Sequence, residues 1–246
     1  MTKIVKISAN GEVFRDPKSP APVGLDGPHR LYLNAGAGDL CSFGLLQQSS
    51  SLRENRSFDG AELLLVREGE LRIIVAGGPT IKLGPGNCAV IPAGLHCQID
   101  HSSLVCGIFM HSPANASGPA DGAVDLVQFD WRQNLTSTKF SKVELLLGPI
   151  PRTSNHTWYS NDAAGFSAGV WAADAYSRKI TTFLYTEFMH LLEGSVLLTD
   201  EDGTKFHITK GETVLVPSGT KCLWHSDEEI TKVWCVQEAK SFKEIR

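Results

Sequence analysis

Residues Gly86 to Ile99 read GNCAVIPAGLHCQI, and residues Gly211 to Trp224 read GETVLVPSGTKCLW. Each stretch spaces a glycine, a proline, a second glycine and a cysteine in the same way, and the two lie 125 residues apart. The same offset relates Gly44 to Gly169, Phe58 to Phe183, Glu62 to Glu187, and Glu68-Gly69 to Glu193-Gly194. From Ser42 to Phe109 the chain aligns without a gap onto Ser167 to Trp234. A register held over so long a stretch marks an internal duplication, and it limits the chain to folds that can be built twice.

The repeated unit reads as short strands. ELLLVREGELRIIV and EFMHLLEGSVLLT are apolar runs broken by Glu-Gly, and AGGPT or DEDGT then supplies hairpin turn chemistry. TIKL and KFHI alternate apolar and polar residues with a period of two, followed by the glycine turn, the Pro-x-Gly turn and a last apolar strand (LVCGIFM, ITKVWCV). Neither unit contains an amphipathic helix of useful length. Short strands between Gly and Pro turns predict an all-β sandwich or barrel, in which closing or doubling the sheet hides the edges. The stretch 111–122, HSPANASGPADG, reads as a linker, giving an N-terminal domain over 1–113 and a C-terminal domain over 114–246. The opening KIVKIS and the segment after the linker are expected to add strands at sheet edges.

Composition narrows the function. A chain of 246 residues with a formal charge of -4 and no basic run lacks the clustered cations that nucleic acid or an anionic membrane would need. Without an apolar leader or a membrane-length stretch the chain is expected to be cytoplasmic. Its six cysteines sit mostly in apolar runs and form no CxxC pair, as expected of buried thiols rather than disulfides.

The order Glu, six residues, Gly, then Gly, five residues, Pro, x, Gly resembles the two cupin motifs, here present twice. The resemblance implies two tandem cupin jelly-roll barrels, a bicupin. The second half, with GFSAGVW, EFMHLLEGSVLLTDEDGT and KGETVLVPSGTKCLW, is similar to the short cupins related to ethanolamine-utilisation protein Q and ureidoglycine aminohydrolase. Metal-binding cupins hold their ion with His-x-His, a following Glu and a His that closes the second motif. Carried onto this chain, the carboxylates are Glu62 and Glu187, RENRSF and KITTFLYT stand where His-x-His would be, and Cys97 and Cys222 replace the final His. A carboxylate and a thiol are two ligands where a stable divalent site normally takes three or four, so no metal and no other cofactor is expected. The cysteines can be read as space-filling residues, as half of a partial metal site, or as reactive thiols; the last needs a cation nearby, and Lys221 and His96 are strand neighbours that point the other way.

If Glu187 faces inward, so do Met189 and Leu191, with Tyr185, Trp171 and Trp224 forming an aromatic wall beside Cys222. The first half offers Leu46, Leu64, Val66 and Ile99 around Glu62 and Cys97, without an aromatic. His190 is expected to be an ordinary structural histidine, and His101, His207 and His225 turn or surface residues. The favoured reading is a metal-free sensor or accessory protein, monomeric or homodimeric, binding a small molecule in its C-terminal barrel. The pairing of a buried Glu187 with an aromatic pocket suggests a neutral or cationic ligand. Two enzyme readings stay open: a metal-dependent cupin acting on a small acid or ureido compound, and a metal-free isomerase or epimerase using Glu187 with Tyr185.

Overall fold

A computed structural model describes residues 4–15, 30–34, 41–113 and 126–238. The linker reading falls mostly outside them. The described chain is all-β, with no α-helix and a single 3-10 turn at Val143–Leu145. Among the described residues no helix is long and apolar enough to cross a membrane. Two compact units form: 21–129 with 161–166, and 1–20 with 130–160 and 167–246.

The strands run in chain order as β1 (Val5–Ile7), β2 (Val13–Arg15), β3 (Arg30–Asn34), β4 (Ser42–Gln48), β5 (Leu52–Ser57), β6 (Gly60–Glu68), β7 (Leu71–Val75), β8 (Thr80–Leu83), β9 (Cys88–Ile91), β10 (His96–His101) and β11 (Val105–Pro113). They continue as β12 (Val127–Gln128), β13 (Thr136–Thr138), β14 (Thr153–Asn161), β15 (Phe166–Ala173), β16 (Tyr176–Thr182), β17 (Tyr185–Glu193), β18 (Ser195–Asp200), β19 (Lys205–Thr209), β20 (Thr213–Val216), β21 (Lys221–Ser226) and β22 (Ile230–Glu238). In the first unit the sheets have the orders β12-β9-β6-β11-β4-β3 and β5-β10-β7-β8. In the second they are β13-β14-β15-β22-β17-β20-β1-β2 and β16-β21-β18-β19. Strands 125 residues apart occupy the same places: β9-β6-β11-β4 matches β20-β17-β22-β15, and β5-β10-β7-β8 matches β16-β21-β18-β19.

The turn motifs are paired by the same backbone bonds in both units. The Gly94 N–H donates to the Phe58 carbonyl at 2.8 Å, and the Gly219 N–H donates to the Phe183 carbonyl at the same distance. Gly69 and Gly194, with φ of 81° and 74°, turn the chain in the left-handed region, where a side chain would be strained. A Cβ on Gly194 would also lie 2.2 Å from the Glu229 carbonyl oxygen.

Each unit buries its core between its two sheets. Leu64, Val66 and Phe109 of one sheet meet Leu71, Ile73 and Ile99 of the other, and Met189 and Leu191 meet Val196, Leu198 and Trp224. Period-two patterning drives this: β18 and β21 bury every second residue and leave the rest partly or fully exposed. The edge strands foreseen at the N-terminus and after the linker are present. Strand β1 pairs antiparallel with β20, Val5 opposite Leu215. Lys6 secures it, donating to the His207 carbonyl at 2.6 Å and pairing with Glu212 at 2.9 Å. Strand β12 pairs with β9, and β13 with β14.

Candidate functional site

The second unit has an open cavity of about 410 Å³, whereas the first has one of about 30 Å³. Position-by-position comparison explains the difference. Trp171, Tyr176, Tyr185, Met189, Trp224 and Lys232 stand 125 residues after Leu46, Ser51, Gly60, Leu64, Ile99 and Gly107. The larger cavity is walled by aromatic and charged side chains, the smaller one mainly by aliphatic ones.

Strand β17 brings Glu187 to the cavity wall, and its neighbour β22 brings Lys232, Trp234 and Val236 to the same wall. Lys232 donates to Glu187 Oε1 at 2.7 Å, with the two side chains only 8% and 12% exposed. Its ammonium lies 2.9 Å from Met189 Sδ and 5.1 Å from the ring centroids of both Trp171 and Trp224. The buried carboxylate thus meets an internal donor. Burial, the dominant influence, holds the Lys232 ammonium below its ordinary value, although the adjoining Glu187 opposes this.

Around this pair stands an aromatic box. Tyr176 stacks on Trp224 at 5.7 Å, Trp171 meets Trp224 edge-on at 6.3 Å, and Phe140 meets Tyr176 edge-on at 5.4 Å. The Trp234 indole N–H donates to Asn155 Oδ1 at 2.9 Å and ties β22 to β14. Arg178 on β16 pairs with Trp224 on β21, with its guanidinium 5.2 Å from the Phe183 centroid and 5.8 Å from that of Trp224. Tyr185 is 40% exposed at the wall, and the Glu187 charge, then burial, push its phenol up to about 12.

Of the residues singled out from sequence, Trp171, Tyr185, Glu187 and Trp224 come together on the cavity wall. Met189 and Cys222 lie behind it in the core cluster. Cys222 is fully buried, and desolvation pushes its thiol up to about 12, so it carries no thiolate near neutrality. Cys97 is likewise a core residue with a raised pKa, again through burial, and Glu62 lines the smaller cavity. His111 Nδ1 lies 3.5 Å from Glu62. Two sequence expectations need correction. His101 is 2% exposed and lines the smaller cavity, because β10 continues through it before turning. That cavity also holds an aromatic, Phe58, which precedes β6 and is folded back by its bonds to the Pro-x-Gly turn. His190 is the structural histidine expected, bonded through Nδ1 to Thr213 Oγ1 at 2.9 Å.

Sequence reasoning missed Lys232, Arg178 and the 138–142 segment that closes one side of the cavity. Lys232 had a signal: a lysine inside ITKVWCV, on the face it shares with Trp234, has nowhere to go but inward. Arg178 and the 138–142 segment had none.

A divalent ion does not fit these side chains. Among the described residues no three of His, Cys, Asp and Glu converge, and Glu187 Oε1 already accepts from the Lys232 ammonium at 2.7 Å.

Comparison with known proteins agrees with the architecture. Residues 161–234 match the EutQ-like cupin domain family. A protein of unknown function of the DUF861 family from Pseudomonas syringae pv. tomato superposes with a TM-score of 0.83 at 22% identity, covering 96% of this chain and 100% of its own. A cupin 2 conserved barrel domain protein from Leptotrichia buccalis gives 0.60 at 9% identity, with 85% and 88% covered. Bacillus subtilis oxalate decarboxylase gives 0.50 at 10% identity, with 96% and 77% covered. Among curated proteins no sequence matches. The chain therefore has the cupin fold and carries an EutQ-like cupin domain over residues 161–234.

Proposed function

We propose that the protein is a two-domain cupin, built by duplication, that binds a small molecule in its C-terminal cavity without a metal. The carrying observation is the Lys232–Glu187 pair at 2.7 Å in a cavity of about 410 Å³. The ammonium gives Glu187 a cation supplied by the chain itself, and aromatic rings supply contact area around it. The matching strand orders of the two units support a duplicated origin, and the contrast between the two cavities supports one binding site per chain. A ligand-binding sensor or accessory role is the reading we favour, since the wall offers a charge pair and aromatic faces for recognition.

The test is a metabolite screen of mixed charge against the full chain, read by tryptophan fluorescence and calorimetry, with and without chelator. Hits should bind equally with chelator and weaken at least about tenfold in Lys232→Met/Glu187→Gln. Hits that need an added divalent ion, or that ignore the double variant, would overturn the reading. Direct titration with Mn, Fe(II), Ni or Zn should show no site tighter than about micromolar, and a nanomolar site abolished by Glu187→Ala would be decisive against it.

A further inference from the structure

Among the described residues three lysines line the larger cavity, and only one of them is buried. Lys139 and Lys142 are exposed, whereas the Lys232 side chain is 8% exposed. Its ammonium lies 2.7 Å from Glu187 Oε1 and 5.1 Å from the centroids of Trp171 and Trp224, and all three of these residues line the cavity with it. An ammonium carries three N–H bonds. Glu187 takes one and the Met189 thioether, a weak acceptor, takes another; among the described residues no hydrogen-bond acceptor takes the third. A cation with a donor to spare, in contact with a cavity, calls for an acceptor from outside the chain.

The same amine is set up for more than a hydrogen bond. Burial is the largest influence on it and lowers its proton affinity, Glu187 works the other way, and the Arg178 charge adds to the lowering. Lysines desolvated in an apolar pocket are the ones that act as nucleophiles toward carbonyl groups. Glu187, already bonded to the ammonium, is placed to take a proton from it and to give it back.

Resting on the binding function proposed above, we propose that the ligand is a small aldehyde or ketone with a flat apolar body, and that Lys232 holds it as a reversible imine. Lys232 gives one proton to Glu187, and its nitrogen lone pair attacks the carbonyl carbon. A second ammonium proton moves to the former carbonyl oxygen, giving a carbinolamine. Glu187 returns its proton to that hydroxyl, the C–O bond breaks, water leaves, and the nitrogen lone pair closes the C=N bond. The third proton stays on the iminium nitrogen. One cation is thus exchanged for another, so Glu187 keeps its partner and Trp171 and Trp224 keep a cation beside their rings. The rings of Trp171, Phe140 and Tyr176 on the same wall suit a flat apolar body on the carbonyl carbon.

Benzaldehyde and benzyl alcohol, which share a ring and an oxygen and differ in the carbonyl, test this on the full chain. Limiting benzaldehyde is added near neutral pH, the imine is reduced to a stable amine with cyanoborohydride, and peptide mass mapping locates the added benzyl group. Lys232 should be labelled at least about tenfold faster than the exposed Lys139 and Lys142. Lys232→Arg keeps a cation for Glu187 and cannot form the imine. It should lose the fast adduct and weaken benzaldehyde at least about tenfold in calorimetry, while changing benzyl alcohol less than about threefold. The labelling order in the unaltered chain does not depend on whether the variant folds. Label spread over exposed lysines with Lys232 no faster, or benzyl alcohol binding as tightly as benzaldehyde, overturns the imine and leaves the cavity's binding role in place. Absence of any adduct at Lys232 overturns it too, whereas an empty metabolite screen is what sinks the binding function beneath it.

Discussion

Replacing Lys232 by methionine keeps the length and apolar stem of the side chain and deletes its charge. Glu187 would then be a carboxylate only 12% exposed and without its 2.7 Å partner. Breaking a buried pair from one side typically costs about 3–5 kcal/mol, and residual solvent contact at Glu187 puts this case near 3. At about 2–4 °C per kcal/mol that is a fall of roughly 10 °C in the melting temperature of the unit. Exchanging both members, Lys232→Met/Glu187→Met, removes the stranded charge and should recover most of the loss, because an apolar replacement of such a pair is often neutral. The assay is urea unfolding followed by tryptophan fluorescence, since Trp171 and Trp224 both lie within 5.1 Å of the ammonium. The double-mutant cycle should give a coupling of about 2 kcal/mol or more. A single variant costing under about 1 kcal/mol, or a double variant as unstable as the sum of the singles, would show that the pair is not closely coupled and would refute the reasoning.

The same lysine predicts a pH effect of unusual sign. Its folded value lies below 10.5, so the unfolded chain holds more protons between that depressed value and 10.5. Stability contributed by Lys232 therefore rises with pH through that window, and Lys232→Met should flatten this rise in denaturation curves up to pH 10. Gly194→Ala, at φ 74° and with a Cβ 2.2 Å from the Glu229 carbonyl, should cost about 2–3 kcal/mol in the same assay, and a neutral result would refute the turn geometry. Native-state alkylation at pH 8 should reach Cys106 first, the one cysteine that is not fully buried. Cys222, with its thiol near 12, should react only after unfolding, and early labelling of Cys222 in peptide maps would contradict its burial.

The fold was legible because a repeat and its turns are local signals. Glycines at fixed offsets, Pro-x-Gly and period-two strands specify backbone geometry wherever they occur, and they recur twice. The inward face of β17 was legible for the same reason: Glu187, Met189 and Leu191 follow from alternation alone. What sequence could not give was the pairing of strands distant in the chain. Leu191 lies opposite Lys232 only because β22 docks beside β17, and Arg178 meets Trp224 only across β16 and β21. The pairing of Glu187 is thus a property of register, and reading it from the sequence alone left out the lysine that neutralises it. His101 shows the converse error, a polar residue assigned to the surface by type when the strand carrying it runs on into the interior.

The pairing of β1 with β20 also sets an order of events at the ribosome. Val5 to Ile7 emerge roughly two hundred residues before Thr213 to Leu215, which they must join. At about 5–20 residues per second they wait some 10–40 s with their edge unsatisfied. The C-terminal unit therefore needs a strand made long before its partner, a very long loop closure that slows its completion. A bulky N-terminal fusion would press on that closing strand, whereas a circular permutant starting near residue 130 would make both partners within one continuous stretch. Such a permutant should complete its C-terminal unit faster than the natural order allows.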